Sequence, residues 1–98
     1  MSGGFTVEMF LEHVNTRFRM TLPDSSDVEL EMVSVKDLGS SVRHAQFSVM
    51  FLGPETAPLQ QQTYSLEHDK LGKLELFLVP VGKDSNGVSY EAIFSRTL

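Results

Sequence analysis

No cysteine occurs among the 98 residues. That absence removes disulfide frameworks, thiolate zinc sites and thiol catalysis together. Basic residues are scarce as well: eight Lys and Arg stand against thirteen Asp and Glu, for a net charge of −5. A nucleic-acid surface leaves a basic footprint, and the cations here are scattered, so no nucleic-acid partner is expected. Long apolar runs are missing too. The longest apolar-rich stretch, residues 74–81, is far short of a membrane span, so no membrane partner is expected either. No apolar run follows a basic start, so no Sec-type signal peptide is expected and the chain reads as a cytoplasmic protein.

Chemical motifs are equally sparse. His13, His44 and His68 show no HExxH spacing, no G-x-S-x-G elbow exists, and the glycines from Gly82 to Gly87 lack the Walker pattern. Glu67-His68-Asp69 is the most suggestive triplet, yet neighbours in a strand point to opposite faces and do not converge. Carboxylates that share a face, Glu29 with Glu31 and Glu75 with Glu91, read as solvated strand faces. The sequence therefore predicts no catalytic residue, no metal ligand and no cofactor, and the chain reads as a non-enzyme.

What is present is periodicity. With 41% apolar and 21% charged residues, the composition is that of an ordinary globular protein, and the length fits one domain. Residues 1–98 are read as a single β-rich domain, with residues 1–4 flexible in composition. Thr6 is the expected N-cap of a short helix whose Val7, Phe10, Leu11 and Val14 share one face, with Asn15 as its stop. From Arg17 the period changes to two. Phe18, Met20 and Leu22 alternate with Arg17, Arg19 and Thr21, and Val28, Leu30 and Met32 follow after a Pro-Asp-Ser turn.

The alternation suggests specific registers. The first hairpin can pair Leu22 with Val28, Met20 with Leu30 and Phe18 with Met32, which sets Arg19 against Glu31. A connection over residues 37–41 then leads to a second hairpin pairing Met32 with Phe47, Leu30 with Val49 and Val28 with Phe51. The loop from Gly53 to Gln61 is the longest irregular stretch. Beyond it, Leu66 falls opposite Leu74 and Tyr64 opposite Leu76. A final hairpin turning at Lys83-Asp84-Ser85-Asn86-Gly87, with Asn-Gly as a strong turn signal, aligns Leu78 with Ala92 and Leu76 with Phe94. Pro80 lies past the pairing of the preceding strand. The expected fold is mainly β (α+β): a short N-terminal helix and a six-stranded antiparallel meander, as a curled sheet or a small, partly closed barrel.

One feature exceeds the needs of a core. Leu74, Leu76 and Leu78 already supply an inner face, yet Phe77, Val79 and Val81 on the other face are apolar too, and Ile93 joins them by the last register. A strand apolar on both faces is covered on both. Two covers are available: the N-terminal helix, or another copy or protein. Phe77, Val79, Val81 and Ile93 are thus the candidate interface.

Several segments carry a resemblance: Thr16-Arg17-Phe18, residues 47–54, Thr63 to His68, residues 71–82 through Pro80, and Tyr90 to Phe94. Together they resemble a family of bacterial proteins of about a hundred residues, catalogued only as a domain of unknown function. The resemblance implies occurrence near phage-tail-collar-like proteins and brings no catalytic residues. The expected function is a structural or protein-interaction module, an accessory component of a phage-tail-like or secreted assembly, with self-association or a protein partner. The alternative is a small-molecule-binding β-barrel, or less expectedly a hydrolase, using the loop from Gly53 to Gln61 with Tyr64 and His68.

Overall fold

The computed structural model describes residues 7–40 and 44–97. Helix α1 (Val7–Leu11) is followed by six strands: β1 (Arg17–Thr21), β2 (Asp27–Ser40), β3 (His44–Gly53), β4 (Gln62–His68), β5 (Gly72–Asp84) and β6 (Gly87–Thr97). All neighbouring strands are antiparallel, and the sheet closes into a ring in the order β1-β2-β3-β6-β5-β4. Each half of the chain is a three-stranded meander. The step from β3 to β4 is not: β3 pairs with β6 from His44↔Thr97 to Gly53↔Val88, and β1 closes the ring on β4 through Arg19↔Glu67 to Thr21↔Ser65. The expected Thr6 cap and flexible residues 1–4 lie outside the described residues.

Alternation set the inner face correctly. Phe18, Met20, Leu30, Met32, Val49, Phe51, Tyr64, Leu66, Leu76 and Leu78 are all buried inside the ring. Turn geometry set the registers, and two differ from expectation. In the first hairpin Phe18 pairs with Leu30 and Met20 with Val28, a shift of two residues. The turn is tighter than the five residues from Pro23 to Asp27 suggest. Ser25 takes a left-handed φ of 71°, and Leu22 N–H donates to the Ser26 carbonyl. Asp24 Oδ1 accepts from Ser26 N–H at 3.0 Å. The loop therefore closes over Pro23-Asp24-Ser25, the three-residue hairpin with a left-handed third residue. A two-residue slip keeps every side chain on its own face, so burial agrees while partners change.

The second hairpin slips further: Met32 meets Phe51, not Phe47. The expected connection at residues 37–41 is strand up to Ser40, with irregularities between Met32 and Ser34 and between Asp37 and Gly39. Asp37 Oδ1 accepts from Gly39 N–H at 2.7 Å, and Gly39 has φ 110°. Asp and Gly serve a bulge here, which uses the same chemistry as a turn. Ser41, in the expected connection, lies outside the described residues.

The later registers agree with expectation. Leu66 pairs with Leu74 and Tyr64 with Leu76. Val79↔Glu91 lies on the register expected for the last hairpin, but among the described residues the ladder begins there, so the expected Leu78–Ala92 and Leu76–Phe94 pairs are not rungs of it; Pro80 is past the last β4 rung, Gln62↔Leu78. The β5–β6 turn closes over Ser85-Asn86, with Asp84 facing Gly87. Gly87 has φ 132°, and a Cβ there would lie 1.9 Å from the Gly53 carbonyl oxygen. Only glycine allows β3 and β6 to approach so closely.

Both ends of the ring are stopped. At one end Phe10 of α1 is fully buried, its ring 5.2 Å from Phe94 and 5.9 Å from Phe47. Val7, Met9 and Val14 pack on the same core, while Leu11 is exposed. The helix stops at Leu11, short of the expected stop at Asn15, and Asn15, with φ 71°, instead ends the turn that follows, its N–H donating to the Met32 carbonyl at 2.7 Å. At the other end the loop from Gly53 to Gln61 folds over the interior with Ala57 buried. It is pinned by the Tyr64 hydroxyl donating to the Gln60 carbonyl at 2.6 Å and the Tyr90 hydroxyl donating to the Pro58 carbonyl.

Candidate functional site

The outer face of β5 and β6 is where apolar residues exceed what the core uses. Phe77, Val81 and Ile93 are 53%, 51% and 53% exposed, and Val79 is half-buried. The helix does not cover them: its one buried residue reaches into the ring toward Phe47 and Phe94. Of the two covers the sequence allowed, the N-terminal helix is therefore overturned. A five-residue helix has room for one good anchor, and the unclosed end of the ring takes it.

Cross-strand pairing places this face in context. Phe77 lies opposite Thr63 of β4, and Val79 opposite Glu91 of β6, which in turn faces the half-buried Met50 of β3. Ile93 faces Ser48. Continuing the Val79↔Glu91 register would put Ile93 opposite Phe77, but among the described residues the β5–β6 ladder begins at Val79. Val81 is the extra residue of the irregularity between Pro80 and Gly82, which turns it outward with Val79. Phe77, Val79 and Val81 thus lie on the outer side of β5 and Ile93 on the outer side of β6, with the carboxylates Glu75 and Glu91 on the same faces.

The charged candidates resolve differently. Arg17 Nη1 meets Glu29 Oε1 at 2.7 Å, and Arg19 reaches Glu67 at 3.3 Å and Asp69 at 3.6 Å. The expected Arg19–Glu31 pair does not form, because the tighter first turn moves Glu31 opposite Arg17. Ring closure then brings Glu67 beside Arg19. Both guanidinium groups are held above their usual value, first by hydrogen bonds to Glu29 and to Glu67. The Glu67-His68-Asp69 triplet splits as strand geometry requires: the carboxylates go out to Arg19 and His68 goes inward.

His68 is the one buried ionisable side chain with an unexpected set of neighbours. It is 4% exposed, with its ring 4.7 Å from His13 and 4.4 Å from Phe18. Its Nδ1 accepts from the backbone N–H groups of Lys70 at 3.0 Å and Leu71 at 3.1 Å. Nε2 must then carry the proton and donate it to Thr16 Oγ1 at 2.9 Å, whose own hydroxyl donates to the His13 carbonyl. A hydroxyl beside an imidazole is the outline of a nucleophile and its base, but here the bond runs the wrong way. The imidazole donates, so it cannot take the hydroxyl proton. Burial first, then His13, pushes the His68 value down, which keeps the ring neutral. No local spacing signals this group, since Thr16 and His68 are 52 residues apart.

Tyr64 and His68 both face inward along β4, but toward opposite ends of the ring. Tyr64 serves the loop, and His68 serves the helix junction. Burial raises the Tyr64 value, and burial with the nearby Tyr64 pushes Tyr90 up to about 12. An open hollow of about 470 Å³ outside the ring takes Pro54 and Thr56 from the loop and Arg17, Glu29 and Glu31 from the strands. Neither Tyr64 nor His68 lines it. Among the described residues no three His, Asp or Glu side chains gather so as to hold a metal ion, and no helix is long and apolar enough to cross a membrane.

No curated protein and no solved structure matches this chain. A family does match, over residues 5–94, almost the whole length. With its small ring of six antiparallel strands, the chain belongs to the family described as domain of unknown function DUF6916.

Proposed function

We propose that this chain is a non-enzymatic structural or protein-interaction module that engages a protein through the outer face of β5 and β6. The observation that carries the reading is the exposure of Phe77, Val81 and Ile93 around the half-buried Val79. Fully burying one such side chain is worth about 1.5–3 kcal/mol. Half of that surface is already covered, so each offers roughly 1 kcal/mol. The set then offers about 3–4 kcal/mol, near the lower bound of the association cost of about 4–15 kcal/mol. A stable complex therefore needs contacts beyond these four residues, and the partner surface must extend past the patch toward the usual ~800 Å² per side.

A bacterial phage-tail-like or secreted assembly, with this chain as an accessory component, is the setting that the sequence resemblance implies. The test combines light scattering over a concentration series with pull-down, comparing the native chain with a Phe77→Ser/Ile93→Ser double variant. Assembly or partner capture that the double variant loses supports the reading. A strict monomer that recovers no partner sinks it. The small-molecule alternative has less in its favour, because the polar atoms of Tyr64 and His68 are engaged in internal hydrogen bonds.

A further inference from the structure

His68 joins two segments that have no other polar link among the hydrogen bonds described. On one side its Nδ1 holds the β4–β5 turn through Lys70 and Leu71. On the other its Nε2–H holds Thr16, which in turn holds the His13 carbonyl in the connection from α1 to β1. Helix α1 is only five residues long, so it stays in place through what it touches and not through its own hydrogen bonds. Its fastenings among the described residues include Phe10 in the ring mouth, Val7, Met9 and Val14 against the core, Asn15 and Thr16 against Met32, and the chain from Thr16 to His68.

Protonation changes the chain at one atom. A second N–H on Nδ1 would point at two N–H donors, so both turn hydrogen bonds are lost and donors face a donor. The surroundings offer the cation little relief. His13 lies against the ring from the α1–β1 connection, and the positive groups of Arg19 on β1 and Lys70 in the turn also disfavour the cation. Asp69 alone favours the charge, and it is already bound to Arg19. Phe18 packs on the ring with no polar atom to offer.

We propose that His68 is a proton-sensitive latch: neutral, it fastens the α1 plug and the β4–β5 turn to each other, and protonated, it frees both while the strand ring stays paired. Opening the latch withdraws Phe10 and uncovers the stacked Phe47 and Phe94 rings, 4.8 Å apart, at that end of the ring.

The test is amide exchange followed by NMR from about pH 7.5 to about pH 5, corrected for the intrinsic pH dependence of exchange. The Lys70, Leu71 and Asn15 amides are expected to lose about tenfold or more of their protection, with amides of the β3–β6 ladder unchanged. A His68→Asn variant keeps a short acceptor for the turn but does not titrate, so its protection is expected to stay level across the range. In the native chain the imidazole carbon shifts of His68 should move with the same midpoint as the amides, a readout that stands if the variant does not fold. Three results overturn the proposal: protection independent of pH, loss in step with the β3–β6 ladder, or a His68 ring midpoint that does not match the amides.

Discussion

Replacing Gly87 by alanine tests the closest backbone approach in the fold. The residue has φ 132°, a region that L side chains avoid at a cost of about 1–3 kcal/mol. The added Cβ would also lie 1.9 Å from the Gly53 carbonyl oxygen and 3.0 Å from its carbon. Backbone atoms cannot rotate aside, so the start of β6 must draw away from the end of β3. That sacrifices the terminal rung Gly53↔Val88, about another 1 kcal/mol. The sum is about 2–4 kcal/mol, a large part of the ~5–15 kcal/mol that holds such a domain together. Gly72→Ala supplies the control. Its φ is 76° and nothing lies within 4 Å of an added Cβ, so only the left-handed backbone cost of about 1 kcal/mol remains. At about 4–8 °C per kcal/mol for this size, thermal melts by circular dichroism should show a drop of about 4–8 °C for Gly72→Ala. For Gly87→Ala the drop should be about 8–32 °C. Equal drops, or a Gly87→Ala variant within about 8 °C of the native chain, would refute the steric argument.

Phe10→Ala removes the plug side chain, fully buried against Phe47 and Phe94; urea titration should register a loss of about 3–5 kcal/mol, and a loss under 1 kcal/mol would mean the ring needs no plug. On the alkaline side, Tyr90 is raised from 10.0 to about 12. Its contribution is therefore fully present below about 10 and lost as pH rises through about 12. Denaturant midpoints taken up to that range should fall less steeply in Tyr90→Phe than in the native chain. On the acid side, His68 is lowered from 6.5, so its contribution is intact above that value and is lost as pH falls through the lowered one. His68→Asn should flatten the acid limb, and identical limbs would remove His68 from the account. Arg17→Ala, whose ion pair with Glu29 is solvent-exposed, should leave the melting temperature within error at physiological salt; a large drop would show that this pair is structural.

How much of this was legible beforehand depends on how far apart the interacting residues lie. Alternation from Phe18 to Met20, Leu30 to Met32 and Leu74 to Leu78 named the inner face, since a period of two admits one partition into faces. Asn15 marked the left-handed end of the turn that follows the helix, though the helix itself stops at Leu11, and Asn86-Gly87 marked the last hairpin. The Leu66↔Leu74 and Val79↔Glu91 registers followed because short turns leave few ways to pair. The first two registers did not follow. Pro23 to Asp27 allows a three-residue or a five-residue loop, and Asp37 with Gly39 suits a bulge as well as a turn.

The candidate site divides in the same way. Phe77, Val79, Val81 and Ile93 could be picked out as a second apolar face from sequence alone, because excess apolar residues on a strand are visible locally. Which element covers that face could not, since α1 has an apolar stripe that would fit either the outer face or the ring mouth. The tertiary structure chose the mouth, where Phe10 is fully buried beside the Phe47 and Phe94 rings instead of making one-sided contact with a sheet. Closure of β1 on β4, pairing of β3 with β6 and the meeting of Thr16 with His68 were likewise decided only in three dimensions. Contacts between residues dozens of positions apart depend on how the whole chain closes, and no local pattern of residues encodes that closure.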